Sequence, residues 1–439
     1  MRREAPSQEQ SFQLSKLVRP CAAAPVIGLF ALVIFAANLC VARAAPAEPL
    51  TLQQAIALAR QNNPELLAVR QEAEVARGRV VKARYWNPFN PEIEGGAAQR
   101  RFDDGGSDAQ RTGGVSLEIE VGGQRAKRIE EAQRNLARVQ AEIADTERLI
   151  LARVKEAYYE AVYLQRRLQL FRQVEDLNRR LRDASAERFR SGEVPKLEAN
   201  LGVVRYSQAR KDTLAADRDY RNAVRELERL LGREPLGTVE LAGDFSLRPI
   251  ATTVESLVET ALRLRQDLHA RDAEIQRVEA EISLTKRSIV PNLTLRGTYD
   301  EETESAGMRD RIVGGRISIP LPLFDRRQAE LTALAGQRAQ VGYKRSATLL
   351  TIEAEVRNAY RSYEAAAEAL QVFEADTLSN IAESFGFIET AYREGKIGLL
   401  QLVVVQNDLV NAQFSYLDSL RDYWLARTAL ERAVGQELE

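Results

Sequence analysis

The sequence predicts a mostly α-helical chain with a small β part, in which one helix–β-hairpin–long helix unit is used twice. Three observations carry that reading. Motifs recur at an offset of 202 or 203 residues: Ala157-Tyr158 with Ala359-Tyr360, RFRSGEV (188–194) with AYREGKI (391–397), and Leu230-Leu231-Gly232 with Ala433-Val434-Gly435. Apolar residues step by three and four through one very long stretch of each copy. Each copy also holds a pair of short segments in which apolar and polar residues alternate. A period of ~200 residues is far beyond that of solenoid repeats, so the pattern is a duplication and not an array.

Residues 1–44 read as an export signal. Arg2, Arg3, Lys16 and Arg19 precede an apolar run from Cys21 to Val41, and Ala42-Arg43-Ala44 has the small-x-small form of a cleavage site. An uncleaved anchor helix is the alternative, because the run is long. Ala37-Asn38-Leu39 before Cys40 is a poor lipidation signal. Cleavage after Ala44 leaves 395 residues with no cysteine, hence no disulfide or thiolate metal site, and 57 Lys+Arg against 61 Asp+Glu.

The first repeat covers 45–235. Short and medium helices are expected at about 51–62 and 64–86, then two strands within about 91–121. A long helix over about 124–190 and a last helix over about 195–231 complete it. A connector (236–252) leads to the second repeat, 253–439. Its helices are expected at about 253–264 and 266–288, its strands within about 291–323, its long helix at about 325–393 and its last helix at about 398–435. In the first long helix Ile129, Ala132, Leu136, Val139, Ile143, Thr146, Ile150, Val154, Ala157, Ala161, Leu164, Leu168 and Phe171 form one coiled-coil seam with a stutter. In the second, Leu331, Leu334, Val341, Ile352, Val356, Ala359, Tyr363, Ala366, Leu370 and Phe373 do so, with Arg338 and Arg345 interrupting. A helix over 124–190 is about 100 Å long, several times the ~30 Å hydrocarbon core of a bilayer. It is too polar to cross lipid and suits a tube or stalk.

In the strands, Val115-Ser116-Leu117-Glu118-Ile119-Glu120-Val121 and Ile317-Ser318-Ile319-Pro320-Leu321-Pro322-Leu323 alternate strictly. From these segments alone, a soluble sheet with one buried face and a lipid-exposed sheet both remain open. Lipid tolerates no open sheet edge, and four strands close no pore. Lipid exposure therefore requires a cyclic oligomer, and a conducting pore favours three or more copies. Gly122 and Gly123 mark the turn from strand to long helix, where a positive φ or a close approach is needed.

The composition narrows the function. The 439 residues carry 62 Lys+Arg against 63 Asp+Glu, a formal charge of −1, with mean hydropathy −0.33. Near-neutrality excludes a nucleic-acid binder that works by bulk positive charge. Beyond the N-terminal run no stretch offers ~18 apolar residues, which excludes a bundle of membrane-crossing helices but not a β-barrel. His269 stands alone, so no zinc or copper ligand set and no His-based catalysis is expected. With no phosphate loop or nucleophile elbow either, neither an enzyme nor a cofactor is expected.

In order and in duplicate, these features resemble the TolC-type outer membrane factor (outer membrane efflux protein) family. The residues that carry the resemblance are LTLQQAIALARQNNPEL (50–66), ERFRSGEVPKLEANL (187–201), TAYREGKIGLLQLVVVQNDL (390–409), LERLLGREP (227–235), LERAVG (430–435) and the strand end Ile319-Pro320-Leu321-Pro322-Leu323-Phe324-Asp325. Asn90-Pro91-Glu92 and the segment 120–128 resemble the CzcC-like heavy-metal efflux branch. That branch's Gly-Lys-Arg is Gly123-Gln124-Arg125 here. A plain turn with no bearing on cargo is the other reading of that segment.

The resemblance implies a homotrimer in the cell outer membrane. Its 12-stranded β-barrel would sit in outer membrane lipid and continue into a long periplasmic α-helical barrel. Such a trimer passively conducts substrate, here heavy-metal cations, from a proton-driven inner-membrane pump of the resistance-nodulation-division type through a periplasmic adaptor (membrane fusion protein). It further implies that the tips Arg190, Ser191, Gly192 and Glu193, and Arg393, Glu394, Gly395 and Lys396, meet the adaptor. It places Glu198 at a periplasmic constriction, with Gln401 and Val404 in the second copy, so that one carboxylate per chain would form a cation-favouring ring. A drug or protein-secretion duct of the same fold is the nearest alternative. A periplasmic coiled-coil adaptor or scaffold is the alternative of another class.

Overall fold

The computed structural model describes residues 49–103, 105–233, 240–243, 247–303, 307–373, 383–384, 386–388, 390–392 and 394–438. The expected export signal, 1–44, and Arg393 lie outside them.

Each copy opens with a bent pair of helices. α1 (Leu52–Asn62) starts in a capping box: Gln54 N donates to Thr51 Oγ1 at 3.2 Å, and Thr51 N donates to Gln54 Oε1 at 2.9 Å. Asn63 ends it and caps α2 (Pro64–Arg84), accepting from Leu66 N at 2.9 Å ahead of a proline in the first turn. Arg265 holds the corresponding place between α5 (Val254–Leu264) and α6 (Gln266–Arg287). Both residues tie this bend to the last turn of their own copy. Asn63 Nδ2 donates to Leu230 O at 2.7 Å, and Arg265 Nη1 to Ala433 O at 3.0 Å. The last helices, α4 (Lys196–Leu231) and α8 (Leu399–Val434), end at Gly232 and Gly435, with φ of +65° and +88°. A Cβ at Gly232 would lie 2.1 Å from Asn62 O, so only glycine fits there.

α3 (Gln124–Arg190) is one unbroken helix of 67 residues, about 100 Å long. It packs against α2 and α4 of its own copy and against α6 and α8 of the other. Every residue of the expected seam is buried or half-buried. The single seam was nevertheless an incomplete reading, because Asn135, Ala152, Tyr158, Val162, Tyr163 and Leu170 are buried as well. The added contacts hide in the sequence because polar side chains serve them. Lys155 pairs with Glu431 at 2.9 Å, Arg138 with Glu274 at 3.2 Å, and Arg148 Nη1 donates to Arg432 O at 2.6 Å.

α7 (Gln328–Gln371) packs against α5, α6 and α8. Its expected interruptions are cross-helix ion pairs to α6: Arg338 with Glu279 at 2.7 Å and Arg345 with Asp272 at 2.5 Å. The helix ends at Gln371, short of the expected 393. Residues 374–382 lie outside the described residues, and the described residues from 383 to 392 are again helical.

Two apolar cores sit where the bent pairs meet the last helices. One gathers Ala55, Ala59, Val154, Tyr158, Ala161, Leu227 and Leu231; the other Leu257, Val258, Val356, Tyr363, Tyr423, Leu430 and Val434. Tyr159 packs against both and stacks on Trp424 with ring centroids 4.7 Å apart. The described part of the connector crosses these cores. Tyr158 Oη lies 2.7 Å from Ala242 O, Ile250 N donates to Tyr363 Oη at 2.9 Å, and Tyr423 Oη donates to Arg248 O at 2.7 Å.

β1 (Glu92–Arg101), β2 (Ser107–Ile119), β3 (Leu293–Thr303) and β4 (Arg309–Ser318) form one antiparallel sheet in chain order. The hairpins of the two copies therefore join through β2 and β3, and β1 and β4 are open edges. β4 stops before the alternating run does, because Pro320 and Pro322 have no N–H to give a ladder.

Candidate functional site

The register of the sheet sorts its side chains by parity. Ile93, Val115, Gly297 and Gly315 form one cross-strand row, and Gly95, Gly113, Tyr299 and Val313 the next. Leu117, Leu295 and Ile317 form a third. Since paired residues share a face and neighbours along a strand alternate, every odd-numbered strand residue lies on one face. That face is apolar over Gly113–Ile119 of β2, about 20 Å, and just past the end of β4 Ile319, Leu321 and Leu323 are exposed. The even-numbered face carries Glu94, Ser116, Glu118, Thr294, Arg296, Thr298, Asp300, Arg316 and Ser318. Its charges are partly paired, as Arg296 with Glu94. Asn292, just before β3, donates to Glu118 at 2.6 Å.

The turn from β2 into α3 needs both of its glycines, for different reasons. Gly123 has φ of +76° and open space around it. A Cβ at Gly122 would lie 2.6 Å from Val290 Cβ of the second copy. The buried Gln124 links the two copies here. Its Nε2 donates to Val290 O at 2.8 Å, and its Oε1 accepts from Gly122 N at 2.7 Å. Arg125 and Arg128 cap the end of α2 through Arg84 O at 3.0 Å and Tyr85 O at 3.1 Å.

The turns that lead into the last helices have the same hydrogen bonds in both copies. Gly192 N donates to Phe189 O and Glu193 N to Arg188 O, at 3.1 and 2.9 Å. Gly395 N and Lys396 N do the same to Tyr392 O and Ala391 O, at 3.0 and 2.9 Å. Gly192 and Gly395 have φ of +80° and +70°. These are glycine-terminated helix ends. Arg190, Ser191, Gly192, Glu193, Glu394, Gly395 and Lys396 are all exposed. Beneath the tips Leu181, Tyr392, Leu399, Leu402 and Val403 form a small core that joins the two copies.

Glu198 is drawn into that junction. Its side chain is 17% exposed, accepts from Tyr392 Oη at 2.9 Å and lies 3.8 Å from Arg188 Nη1. The Arg188 guanidinium also sits 5.1 Å over the Tyr392 ring and 3.4 Å from Glu193. Burial and the bond to Glu198 push the Tyr392 hydroxyl up to about 12. Gln401 and Val404 are exposed on α8, apart from this network. Neither Tyr392 nor Arg188 stood out in the sequence. The one available signal was a hydroxyl at 392 where the first copy has Phe189.

Among the described residues no three His, Cys, Asp or Glu side chains gather as a metal site, and no helix is long and apolar enough to cross a membrane. His269 is exposed, with Nε2 2.9 Å from Arg263 O.

The family described as outer membrane efflux protein matches this chain twice, over residues 55–233 and 257–436. The chain is 25% identical over 390 residues to the cobalt-zinc-cadmium resistance protein CzcC of Cupriavidus metallidurans, covering 89% of this chain and 91% of that one. It is 25% identical over 344 residues to the nickel-cobalt-cadmium resistance protein NccC of Alcaligenes xylosoxydans xylosoxydans, covering 77% and 74%. A solved structure of CusC, described in terms of transmembrane channel formation, superposes with a TM-score of 0.67 at 16% identity over 88% of this chain and 92% of that one.

Proposed function

The chain belongs to the outer membrane efflux protein family, whose members are channels and not enzymes, and we propose that three copies of it form a passive exit duct. The parity of the sheet carries this reading. A face with an apolar band about 20 Å tall, backed by a charged face, is the pattern of a barrel strand with lipid outside and water inside. Four strands with two open edges cannot stand in lipid, and three copies supply twelve strands and a channel.

The helical part supports the same closure. α7 leaves Tyr343 and Leu350 exposed at one end of the helical layer, and α2 leaves Val75 and Val81 exposed at the other. In a ring each surface meets the other, a head-to-tail interface that closes. The long helices then form the wall of a periplasmic tube, and the paired tips form its mouth. There Arg190, Ser191, Gly192, Glu193, Glu394 and Lys396 are offered to a periplasmic adaptor, which couples the duct to an inner-membrane pump of the resistance-nodulation-division type. The tie between Glu198, Tyr392 and Arg188 holds the mouth narrow. Heavy-metal cations are the proposed cargo, on the printed names of the relatives CzcC and NccC. Export by the N-terminal signal delivers the chain to the outer membrane.

The test uses the absence of cysteine after residue 44. Single variants Val313→Cys and Ile93→Cys on the odd face, and Thr298→Cys and Thr112→Cys on the even face, are fluorescently labelled in purified trimer. In bilayers with brominated acyl chains, the odd positions should be quenched and the even ones should stay accessible to a water-soluble quencher. A soluble monomer on an unheated denaturing gel, or lipid quenching at the even positions, would reject the duct.

A further inference from the structure

Beyond the apolar band, at the hairpin end of the sheet, the two faces separate charge. The odd face carries Arg101 on β1, Arg111 on β2, and Arg309 and Arg311 on β4, all exposed. Against these four arginines its strands hold one acid, Glu301, 3.8 Å from Arg311 and itself 18% exposed. Among the described residues Arg101, Arg111 and Arg309 have no ion-pair partner. At the same height the even face carries Arg100 with Asp108, Asp300, Glu302 and Asp310. Solubility of a loop end would be served by either sign on either face, so the sorting needs another cause. On the odd face Arg311 is two residues, about 7 Å, past the last apolar residue of β4, Val313, while Ile312 between them lies on the even face. In the duct, that is the depth of the outer leaflet's headgroups.

We propose that these arginines bind the phosphate groups of an acidic glycolipid in the outer leaflet, an inference that rests on the duct reading above. A guanidinium matches phosphate oxygens with two parallel N–H donors and is more weakly hydrated than an ammonium, which suits a wet interface next to hydrocarbon. The site is shared between subunits. Closing the ring places β4 of one copy beside β1 of the next, so Arg309 and Arg311 come to flank the neighbouring copy's Arg101. A lipid with two phosphates then bridges each seam, where the sheet of a single chain is open. The acids of the even face are kept off the lipid side, where they would repel it.

Native mass spectrometry of the full-length trimer, with equimolar lipid A (a bisphosphorylated disaccharide glycolipid) and its dephosphorylated form, tests this. Wild type should retain the phosphorylated form at least about tenfold more. The triple variant Arg101→Gln, Arg309→Gln, Arg311→Gln should lose that preference, while Arg100→Gln on the opposite face keeps it. Equal retention of both lipids by an intact wild-type trimer overturns the site and leaves the duct standing. Displacement of the bound lipid by millimolar inorganic phosphate would also overturn it, by showing a simple anion site. If the triple variant does not assemble, the wild-type comparison still decides. A wild-type chain that forms no membrane trimer rejects the duct itself, so the two failures are distinct.

Discussion

Replacing Tyr392 by Phe removes a single hydroxyl from the mouth and leaves its packing in place. That hydroxyl donates to Glu198 Oε1 at 2.9 Å and is the direct link between the last helix of the first copy and the tip of the second. A hydrogen bond to a charged partner contributes about 1.5–3 kcal/mol. Glu198 keeps Arg188 at 3.8 Å, and at 17% exposure its freed oxygen can reach water. The lower figure therefore applies, about 1.5 kcal/mol per subunit. That is about tenfold in the balance between joined and parted tips, and about a thousandfold if three subunits move together. In single-channel recordings of the purified trimer, Tyr392→Phe should raise the open fraction by at least about tenfold with ion selectivity unchanged. Glu198→Gln keeps an acceptor for Tyr392 but loses the charge, so it should open the mouth less and weaken cation preference. An assembled Tyr392→Phe channel with the wild-type open fraction would refute the tie. A change in selectivity alone would place the Glu198 carboxylate in the lumen.

The remaining expectations concern assembly and pH. Gly122→Ala forces a Cβ to 2.6 Å from Val290 Cβ and should cost about 1–3 kcal/mol, read as a lower dissociation temperature of the trimer on heated gel samples. Adding Val290→Gly, which removes the Cβ that is struck, should restore part of the loss, whereas Gly123→Ala, a matter of φ +76° alone, should cost about 1–2 kcal/mol and gain nothing from it. Arg265→Met leaves Ala433 O and Asp267 without their donor. It should destabilise by about 3 kcal/mol in thermal unfolding followed by circular dichroism, the low end for a broken buried pair because Glu355 is half-exposed. Burial opposes the charge of Arg265, but its bonds to Asp267 and Glu355 outweigh that and hold its pKa above the ordinary value. Tyr392 and Tyr158 are both pushed from 10 to about 12, chiefly by burial. Their protonated forms are favoured in the folded state, so their contribution is complete below pH 10 and is lost as pH rises through 12. Titration of tyrosinate absorbance should show late-titrating groups in the folded trimer, one fewer per chain in Tyr392→Phe.

Much of the fold was legible because it repeats. The offset of 202 or 203 residues located each element twice, and the seam from Ile129 to Phe171 is buried or half-buried as its periodicity implies. The additional contacts of α3 were not legible, since Lys155, Arg138 and Arg148 sit where a seam reading looks for apolar residues. In the same way Arg338 and Arg345 read as interruptions until α6 supplied Glu279 and Asp272. Of the site, the glycines of the turns were evident from residue type. The partners of Glu198 were not, because Tyr392 and Arg188 are separated from it by 194 and 10 positions.

By itself the sequence determined the duplication, the length of α3, the alternation within each strand and the helix-ending turns. All of these depend on local periodicity and on the backbone freedom of glycine. The tertiary structure decided how the copies combine. Pairing of β2 with β3 put every odd-numbered strand residue on one face, and with it the apolar band and the arginines above it. Alternation specifies two faces within a strand, but only the register between strands can say whether those faces coincide across a sheet. The same holds at the mouth, where only the packing of the second copy brought the Tyr392 hydroxyl to Glu198.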